Sequence, residues 1–114
     1  MQNIFKILDL ALFEKAQASG RFAGAGIDLK DGYIHFSTGE QVLETARLHF
    51  HGQINLMVIA VAQDKLGEAL KWEASRGGQL FPHLYGALNI ADVLWAKPLV
   101  WNGLTHDFPV ETFW

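Results

Sequence analysis

Cysteine is absent from the 114 residues of this sequence. Its absence excludes disulfide bonds, thiolate nucleophiles and cysteine-ligated metals, and it is compatible with the cytoplasmic location that we expect. Long apolar runs are also missing, because the longest, Leu56–Ala62, is far shorter than the ~20 residues that span a bilayer. Asp9 and Glu14 interrupt the apolar stretch near the N-terminus, so the pattern of a secretory signal is not met. We therefore expect no membrane partner.

Positive charge is scarce, since nine basic residues stand against twelve acidic ones and the formal net charge is -3. A phosphate backbone requires an electropositive surface, so nucleic acid is not expected as a partner. Phosphate loops of the GxGxxG and GxxxxGK[ST] types do not occur, and neither does the metal-binding pattern HExxH. His49 and His51 are two residues apart at a predicted helix end and would not face each other, so we expect no metal site.

Apolar residues, in contrast, are plentiful: half of the chain is hydrophobic and 12% is aromatic. This composition predicts one globular domain, residues 1–114, with a hydrophobic core. Two of the four tryptophans, Trp101 and Trp114, lie in an otherwise polar C-terminal tail. Their position indicates that the tail docks on its own domain or on a second copy of the chain, so the sequence is compatible with a homodimer.

The order of apolar and turn-forming residues predicts an α+β fold with a small mixed or split β-sheet and two to three helices. Asp9 is expected to cap a helix that ends at Gly20. The segments 20–32 and 75–86 show no clear period and are expected to be irregular. The expected strands are residues 4–8, 33–36, 55–62, 70–74 and 90–100, the last with Pro98 at a sheet edge.

A second helix is expected to begin after two neighbouring hydroxyl residues. Ser37 with Glu40 and Thr38 with Gln41 both have capping-box spacing, in which a hydroxyl accepts from a helical N–H and the acid or amide reaches back. Because the four N-terminal N–H groups of a helix attract anions and hydroxyl-rich ligands, this position is a candidate binding site.

The stretch DGYIHFST, residues 31–38, places a histidine between two apolar residues just before this helix. Ser37 follows His35 by two residues and is expected to project from the same strand face. An imidazole and a hydroxyl would then lie side by side near the helix N-terminus. The alternative is that His35 is a core histidine bonded to a backbone carbonyl and that Ser37 is only a cap.

Polar and aromatic residues also gather in LKWEASRGGQLFPHLYG, residues 70–86. Pro82 restricts its own backbone and that of Phe81, so the residues that follow are presented from a stiff segment, which suits a binding site. In the alternative interpretation the apolar residues fill the core and Glu73 forms an exposed ion pair with Arg76. The candidate site residues of this segment are Trp72, Glu73, Arg76, His83 and Tyr85.

Together, the motifs DGYIHFSTGEQVLETA and LKWEASRGGQLFPHLYG resemble a small bacterial family of domains of unknown function, numbered 952. The resemblance covers about residues 4–98 and leaves 99–114 as a tail. The family looks like a compact relative of the ADP-ribosyltransferase fold, in which a split mixed sheet holds a nicotinamide dinucleotide in its cleft. The resemblance therefore implies NAD or an ADP-ribosylated compound as the small-molecule ligand.

The resemblance also implies which residues would contact the cofactor. His35 would hydrogen-bond the adenosine ribose, with Ser37 or Thr38 as the neighbouring hydroxyl. Tyr85 would stack on the nicotinamide ring. We expect Arg76 to be a fifth cofactor-binding residue.

The implied catalytic residues are His35, Glu73 and His83. Glu73 would supply the carboxylate that steadies an oxocarbenium-like transition state, and Glu73 or His83 would transfer a proton. These roles describe a transferase or glycohydrolase of the ADP-ribosyl type, which breaks or exchanges a C–N glycosidic bond. The alternative is a non-catalytic small-molecule-binding module or sensor that keeps the pocket but performs no chemistry.

Overall fold

Short helices and strands alternate along residues 2–113, which are the residues that the computed structural model describes. The α-helices are α1 (Leu10–Ser19), α2 (Ile27–Asp31) and α3 (Val42–His49). The strands are β1 (Asn3–Asp9), β2 (Arg21–Phe22), β3 (Ile34–His35), β4 (Ser37–Thr38), β5 (Leu56–Ala62), β6 (Leu70–Ala74), β7 (Leu80–Leu84), β8 (Leu88–Asn89), β9 (Val93–Trp101) and β10 (His106–Asp107). The predicted α+β class is confirmed.

The strands form three separate sheets. The largest has the order β10-β9-β5-β1-β4, a second joins β2 to β8, and a third has the order β3-β7-β6. Every strand pair within the described residues is antiparallel. Of the two sheet types expected from the sequence, the mixed sheet is therefore wrong, and the β-structure is split and antiparallel.

Strand β5 occupies the centre of the five-stranded sheet and is the most apolar strand of the chain. Its first six residues are buried, because hydrophobic clusters cover both faces of the sheet. On the neighbouring β1, Ile4 and Leu8 face one cluster while Phe5 and Ile7 face the other. The expected strand 55–62 is therefore central and buried on both faces.

The sheets separate where β4 leaves β1. Only Ser37 and Thr38 of β4 pair with β1, and the residue directly before them, Phe36, marks the point where the chain turns to another partner. His35 pairs with His83 of β7 instead. Within the described chain, residues 6–9 of β1 consequently have no strand on this side, and the divergence opens a cleft.

Helix α1 has the predicted limits. Asp9 occupies the N-cap position without making a side-chain hydrogen bond to the helix. Gly20 ends the helix with φ of 86°, a left-handed conformation that costs glycine little because it has no Cβ.

One of the two predicted capping boxes forms in the turn before α3, which begins at Val42, later than the sequence predicted. The Gln41 N–H donates to Thr38 Oγ1 over 3.2 Å, and the Thr38 N–H donates to Gln41 Oε1 over 3.0 Å. The other predicted pair, Ser37 with Glu40, does not form, because Ser37 Oγ lies 2.9 Å from Thr45 Oγ1 on α3. Ser37 thus ties β4 to the side of the helix.

Two segments that were predicted to be irregular contain regular structure. Residues 20–32 include β2 and α2, which are too short to show a period in the sequence. Residues 75–86 include β7, the central strand of the third sheet. The sequence did not predict this strand, because proline is uncommon in a central strand and the buried His83 interrupts the apolar run after Pro82.

The last long strand starts later than predicted. Residues 90–92 form a 3-10 turn, in which Asn89 Oδ1 accepts from the Ala91 N–H over 3.0 Å, and β9 follows from Val93. Pro98 pairs with Met57 of β5, whereas β10 pairs with β9 only at Val100 and Trp101. Pro98 therefore lies where β9 has a single strand neighbour among the described residues.

The C-terminal tail packs on its own domain. The Trp101 ring makes edge contacts with His51 and His106, at centroid distances of 4.9 and 5.0 Å. His106 Nε2 donates to the Gln53 carbonyl over 2.9 Å. Trp114, which was expected to help dock the tail, lies outside the described residues. Over residues 2–113, no helix is long and apolar enough to cross a membrane.

Replacing Thr38 with valine should lower the free energy of unfolding by about 1 kcal/mol, because the hydroxyl that accepts the Gln41 N–H is lost while the side-chain shape is kept. Thr38→Ser retains the hydroxyl and is the matched control. Urea unfolding followed by circular dichroism would measure both variants. Equal stability of the valine and serine variants would contradict a stabilising role for this capping box.

Candidate functional site

The cleft between the separated sheets has a volume of about 630 Å³. Its floor is the open edge of β1, and apolar side chains line much of it. One wall comes from the loop that leads into α2, and the opposite wall comes from α3 with the turn at 75–76. The polar or charged side chains that line it include Lys6, Asp9, Asp28, His35, Ser37, Thr45, Ser75, Arg76 and His83.

The third sheet presents a polar and aromatic face to this region. His35, His83 and Lys71 are direct neighbours across β3, β7 and β6, so their side chains lie on one face. On the opposite face, Ile34 and Leu84 pack into the hydrophobic core. The pleat of a single sheet therefore separates the candidate site from the core.

Four rings gather on the polar face. Tyr33 stacks on His83 with ring centroids 4.1 Å apart and an interplanar angle of 20°. The Tyr33 centroid also lies 4.6 Å from that of His35 and 5.1 Å from that of Tyr85. The two imidazoles are 5.4 Å apart. Tyr33 thus joins His35, His83 and Tyr85 into one cluster, in which His35 and His83 line the cleft and Tyr85 does not.

Glu73 fixes the orientation of His83. Glu73 Oε1 lies 2.8 Å from His83 Nδ1 and accepts from the Tyr85 hydroxyl, also over 2.8 Å. Because a carboxylate only accepts, the shared proton belongs to Nδ1, and Nε2 of the neutral ring carries the free lone pair. The His83 side chain is 3% exposed, and Nε2 has no hydrogen-bond partner within residues 2–113. This nitrogen is therefore available to a ligand in the cleft.

These hydrogen bonds shift two pKa values in opposite directions. The bonds from His83 and then from Tyr85 lower the pKa of the Glu73 carboxyl, so Glu73 is ionised at neutral pH. The bond to Glu73, reinforced by desolvation, raises the pKa of the Tyr85 hydroxyl to about 12. Burial, together with the charges of Asp31 and Glu73, raises the pKa of Tyr33. Both tyrosines are consequently neutral donors.

Asp28 organises the other side of the cleft. Its carboxylate lies 2.7 Å from His35 Nδ1, accepts from the His35 and Ala25 backbone N–H groups, and forms an ion pair of 3.1 Å with Lys6 Nζ. Lys6 also donates to the His35 carbonyl over 2.9 Å. His35 Nε2 lies 3.0 Å from Asp31 Oδ2. His35 is therefore bonded to two carboxylates rather than to a backbone carbonyl.

The pKa values of Asp28 and Lys6 show how the charges of this buried pair are balanced. Burial alone would raise the pKa of the Asp28 carboxyl, but the Lys6 charge and the hydrogen bonds from His35 and Lys6 outweigh it, and the pKa is lowered. Burial lowers the pKa of the Lys6 ammonium, and Asp28 offsets this only in part. Asp28 is thus held as an anion inside the protein.

The predicted site residues fall into two groups. His35, Ser37, Arg76 and His83 line the cleft, whereas Thr38, Glu73 and Tyr85 do not. Thr38 is buried in the capping box, and Glu73 and Tyr85 lie behind His83. The alternative ion pair between Glu73 and Arg76 does not form, since neither residue is within ion-pair distance of the other.

Four residues around the cleft were not identified from the sequence. They include Lys6, which lies in a segment interpreted as a plain strand, and Asp28 and Asp31, which lie in the segment interpreted as an irregular loop. The fourth is Tyr33, which was interpreted only as a strand residue. A lysine inside the apolar run IFKIL was the one available signal, because a buried lysine requires a buried partner. Among residues 2–113, no group of three or more His, Asp or Glu side chains is arranged to hold a metal ion.

The fold and the site define a class: an α+β domain whose split antiparallel sheets enclose a cleft with a carboxylate–imidazole pair at its wall. Residues 7–96 match the model of a family described as protein of unknown function, DUF952. The chain therefore belongs to the DUF952 family, as its two motifs predicted. Comparison with curated proteins gave no match.

Solved structures of similar proteins share this fold. The crystal structure of protein CC0527 from Caulobacter crescentus is 45% identical, with a TM-score of 0.93, over 98% of this chain and 99% of that chain. A double mutant of the same protein is 44% identical with the same TM-score and coverage. The solution NMR structure of CC0527 is 50% identical over 90% of this chain and 89% of that chain, with a TM-score of 0.82. These are structural genomics targets, so the likeness bears on the fold.

Replacing Asp28 with asparagine should lower the free energy of unfolding by about 3 to 5 kcal/mol, because the buried Lys6 ammonium loses its counter-charge. Asp31→Asn removes the same charge from the other side of His35, but Asp31 is a third exposed, so a loss of at most about 1 kcal/mol is expected. Chemical denaturation at pH 7 would compare the two. Equal losses would contradict the assignment of Asp28 as the central carboxylate.

Asp28 should also determine how the free energy of unfolding changes at acidic pH. The pKa of Asp28 is lowered in the folded state, so its contribution is complete above the ordinary value of 3.8 and is lost as the pH falls through the lower folded-state value. The slope of unfolding free energy against pH below 3.8 should therefore be smaller in Asp28→Asn than in Asp31→Asn. Parallel slopes in the two variants would show that Asp28 does not carry this dependence.

Proposed function

We propose that the protein binds NAD or an ADP-ribosyl compound in the cleft, and that His83 transfers a proton there during cleavage or exchange of a C–N glycosidic bond. The proposal includes the kinship with the ADP-ribosyltransferase fold that the sequence motifs imply. One observation supports it most: a buried imidazole at the cleft wall has its Nδ1 bound to Glu73 and its Nε2 without a partner among the described residues.

The dimensions and the surfaces of the cleft suit such a ligand. Its volume of about 630 Å³ falls within the roughly 300–1,000 Å³ typical of small-molecule sites. Apolar side chains line much of the cleft, and the flat rings of His35 and His83 lie at its wall beside Tyr33. Flat aromatic surfaces favour stacking with a heteroaromatic ring such as nicotinamide or adenine.

The Glu73–His83 pair has the arrangement of a general base with its orienting carboxylate. Nε2 accepts the proton of a water or hydroxyl whose oxygen attacks the anomeric carbon, so a C–O bond forms. The C–N bond breaks at the same carbon, and nicotinamide leaves with the bonding electrons. Ionised Glu73 stabilises the imidazolium that results, and the proton then passes to solvent.

This assignment changes the roles that the sequence suggested for two residues. Glu73 acts through His83, because its bonded oxygen faces His83 and Tyr85 and the residue does not line the cleft. His35 holds the loop of Asp28 against the third sheet, because both of its ring nitrogens are bonded to carboxylates. A ribose hydroxyl bound to His35 would have to displace Asp31, the more exposed of the two partners.

A second candidate function is a non-catalytic binding module or sensor. It is favoured by the position of Glu73, since a carboxylate outside the cleft does not face the positive charge that develops at the anomeric carbon. Prolonged incubation distinguishes the candidates: a module binds NAD and leaves it intact, whereas an enzyme releases nicotinamide.

Isothermal titration calorimetry with NAD, ADP-ribose and nicotinamide should detect binding of at least one of them to the purified protein. Phe81 lines the cleft and is buried, so Phe81→Ala should weaken that binding through loss of the apolar wall. Leu104→Ala, at a residue that is 81% exposed outside the cleft, should leave it unchanged. Absence of heat with all three compounds would overturn the proposed ligand class.

His83→Asn keeps a donor toward Glu73 but removes Nε2, so release of nicotinamide from NAD should fall about 100-fold or more while affinity for NAD changes little. His51→Asn alters a histidine that does not line the cleft and serves as the control. Chromatographic quantification of nicotinamide would measure both. Unchanged turnover in His83→Asn would exclude His83 as the base.

A further inference from the structure

The cleft contains a cation without an anionic partner. Arg76 is half-buried in the turn between β6 and β7, and no carboxylate lies within ion-pair distance of it among residues 2–113. Its one side-chain hydrogen bond in this part of the chain runs from Nη2 to the neutral Thr45 Oγ1, over 3.3 Å. A guanidinium has five N–H donors, so most of them are left for another acceptor.

The position of the guanidinium is fixed on two sides. Its central carbon lies 4.9 Å from the Phe81 ring centroid, a cation–π contact that orients the planar group. The turn that carries it is closed by the Gly78 N–H, which donates to the Ser75 carbonyl over 2.8 Å. Gly77 and Gly78 have φ of 66° and 78°, a left-handed pair that side chains would strain. Arg76 is therefore held in place before any ligand arrives.

Hydroxyl groups surround this cation in the cleft. Thr45 donates its hydroxyl proton to the Gln41 carbonyl over 3.1 Å, so its oxygen accepts from both Arg76 and Ser37. Ser75 also lines the cleft, and its hydroxyl makes no hydrogen bond within residues 2–113. A preoriented guanidinium, in a cleft that the preceding residue also lines with a free hydroxyl, suits the bidentate recognition of a phosphate or carboxylate.

The other charges that line the cleft do not neutralise Arg76. Asp28 is the buried carboxylate of the cleft, and it forms its ion pair with Lys6. Asp9 also lines the cleft but is exposed to solvent, and Lys6 belongs to the Asp28 pair. Arg76 thus provides the cation that an incoming anion can neutralise.

We infer that Arg76, held in position by Thr45 Oγ1, forms with the hydroxyl of Ser75 a subsite for the anionic group of the cleft ligand, a phosphate or a carboxylate. This inference deepens the proposed function, because it names the part of the ligand that the α3 side of the cleft recognises. In this arrangement the anionic group of the ligand binds at Arg76, and the reacting part of the ligand lies near His83. The ligand class is accordingly an acid with a planar or apolar body, which includes nucleotides and organic acids.

Nuclear magnetic resonance titration with inorganic pyrophosphate and, separately, with succinate tests the subsite without any nucleotide. Amide signals of residues 37, 45 and 75–76 should shift in a saturable manner with at least one probe. Arg76→Gln should weaken that binding about tenfold or more. Arg76→Lys should also weaken it, because an ammonium cannot donate the two parallel hydrogen bonds of a guanidinium. Arg47→Gln removes an equal charge from an exposed residue paired with Glu44 and should bind as the unmodified protein does.

The outcomes separate this inference from the proposed function. Binding of pyrophosphate or succinate through Arg76 with no response to NAD or ADP-ribose would support the subsite and overturn the nucleotide proposal. Nucleotide binding that Arg76→Gln leaves unchanged would overturn the subsite alone. No shift with either probe at millimolar concentrations, or equal weakening in Arg47→Gln, would also overturn it. Thermal unfolding of each variant confirms that the comparison is made between folded proteins.

Discussion

A single buried carboxylate holds the molecule together at the point where its sheets part. Asp28 comes from the glycine-rich segment before β3, yet it binds Lys6 of β1 and both the ring and the backbone of His35. Lys6 reaches across the opening to the His35 carbonyl as well. These bonds join the open edge of β1 to the third sheet and so fix the width of the cleft and one of its walls.

The two sides of the site differ in how many of their polar groups are already bonded to one another. The Asp28 side is buried and fully bonded, so its groups are occupied by one another. The α3 side offers the guanidinium of Arg76 and a free hydroxyl, and the third sheet adds Nε2 of His83. These groups have unused bonding capacity. The Asp28 side therefore maintains the structure, and ligand chemistry is expected to depend on Arg76 and His83.

Much of the fold could be predicted from the sequence, since long elements leave a pattern that several residues repeat. Strands β1, β5 and β6 and helix α1 were located within one or two residues, and Gly20 marked a helix end. Strand β3 lies within the expected strand 33–36. The other two-residue strands and the five-residue helix α2 could not be found, because they depend on partners far away in the chain. Strand β7 was missed because Pro82 and the site residue His83 break the apolar pattern of a strand.

The site was predictable in outline for a similar reason. His35 and His83 drew notice because they are polar residues in apolar surroundings, and the structure pairs them directly across two strands. Their partners were not predictable, since a carboxylate in a glycine-rich loop resembles an ordinary surface residue until the loop folds over β1. Tyr33 was overlooked because an aromatic residue at a strand start needs no special explanation.

The number of residues in the turn between β6 and β7 determines which side chains of this hairpin face the site and which face the core. One face of this ribbon carries Lys71 and His83 and the other carries Leu70 and Leu84, so the turn at 75–79 sets the register of both at once. Inserting or deleting a single residue there would exchange the faces, sending polar rings toward the interior and leucines toward water. Natural variation in this hairpin is therefore expected to occur by substitution within the turn, with its residue count preserved.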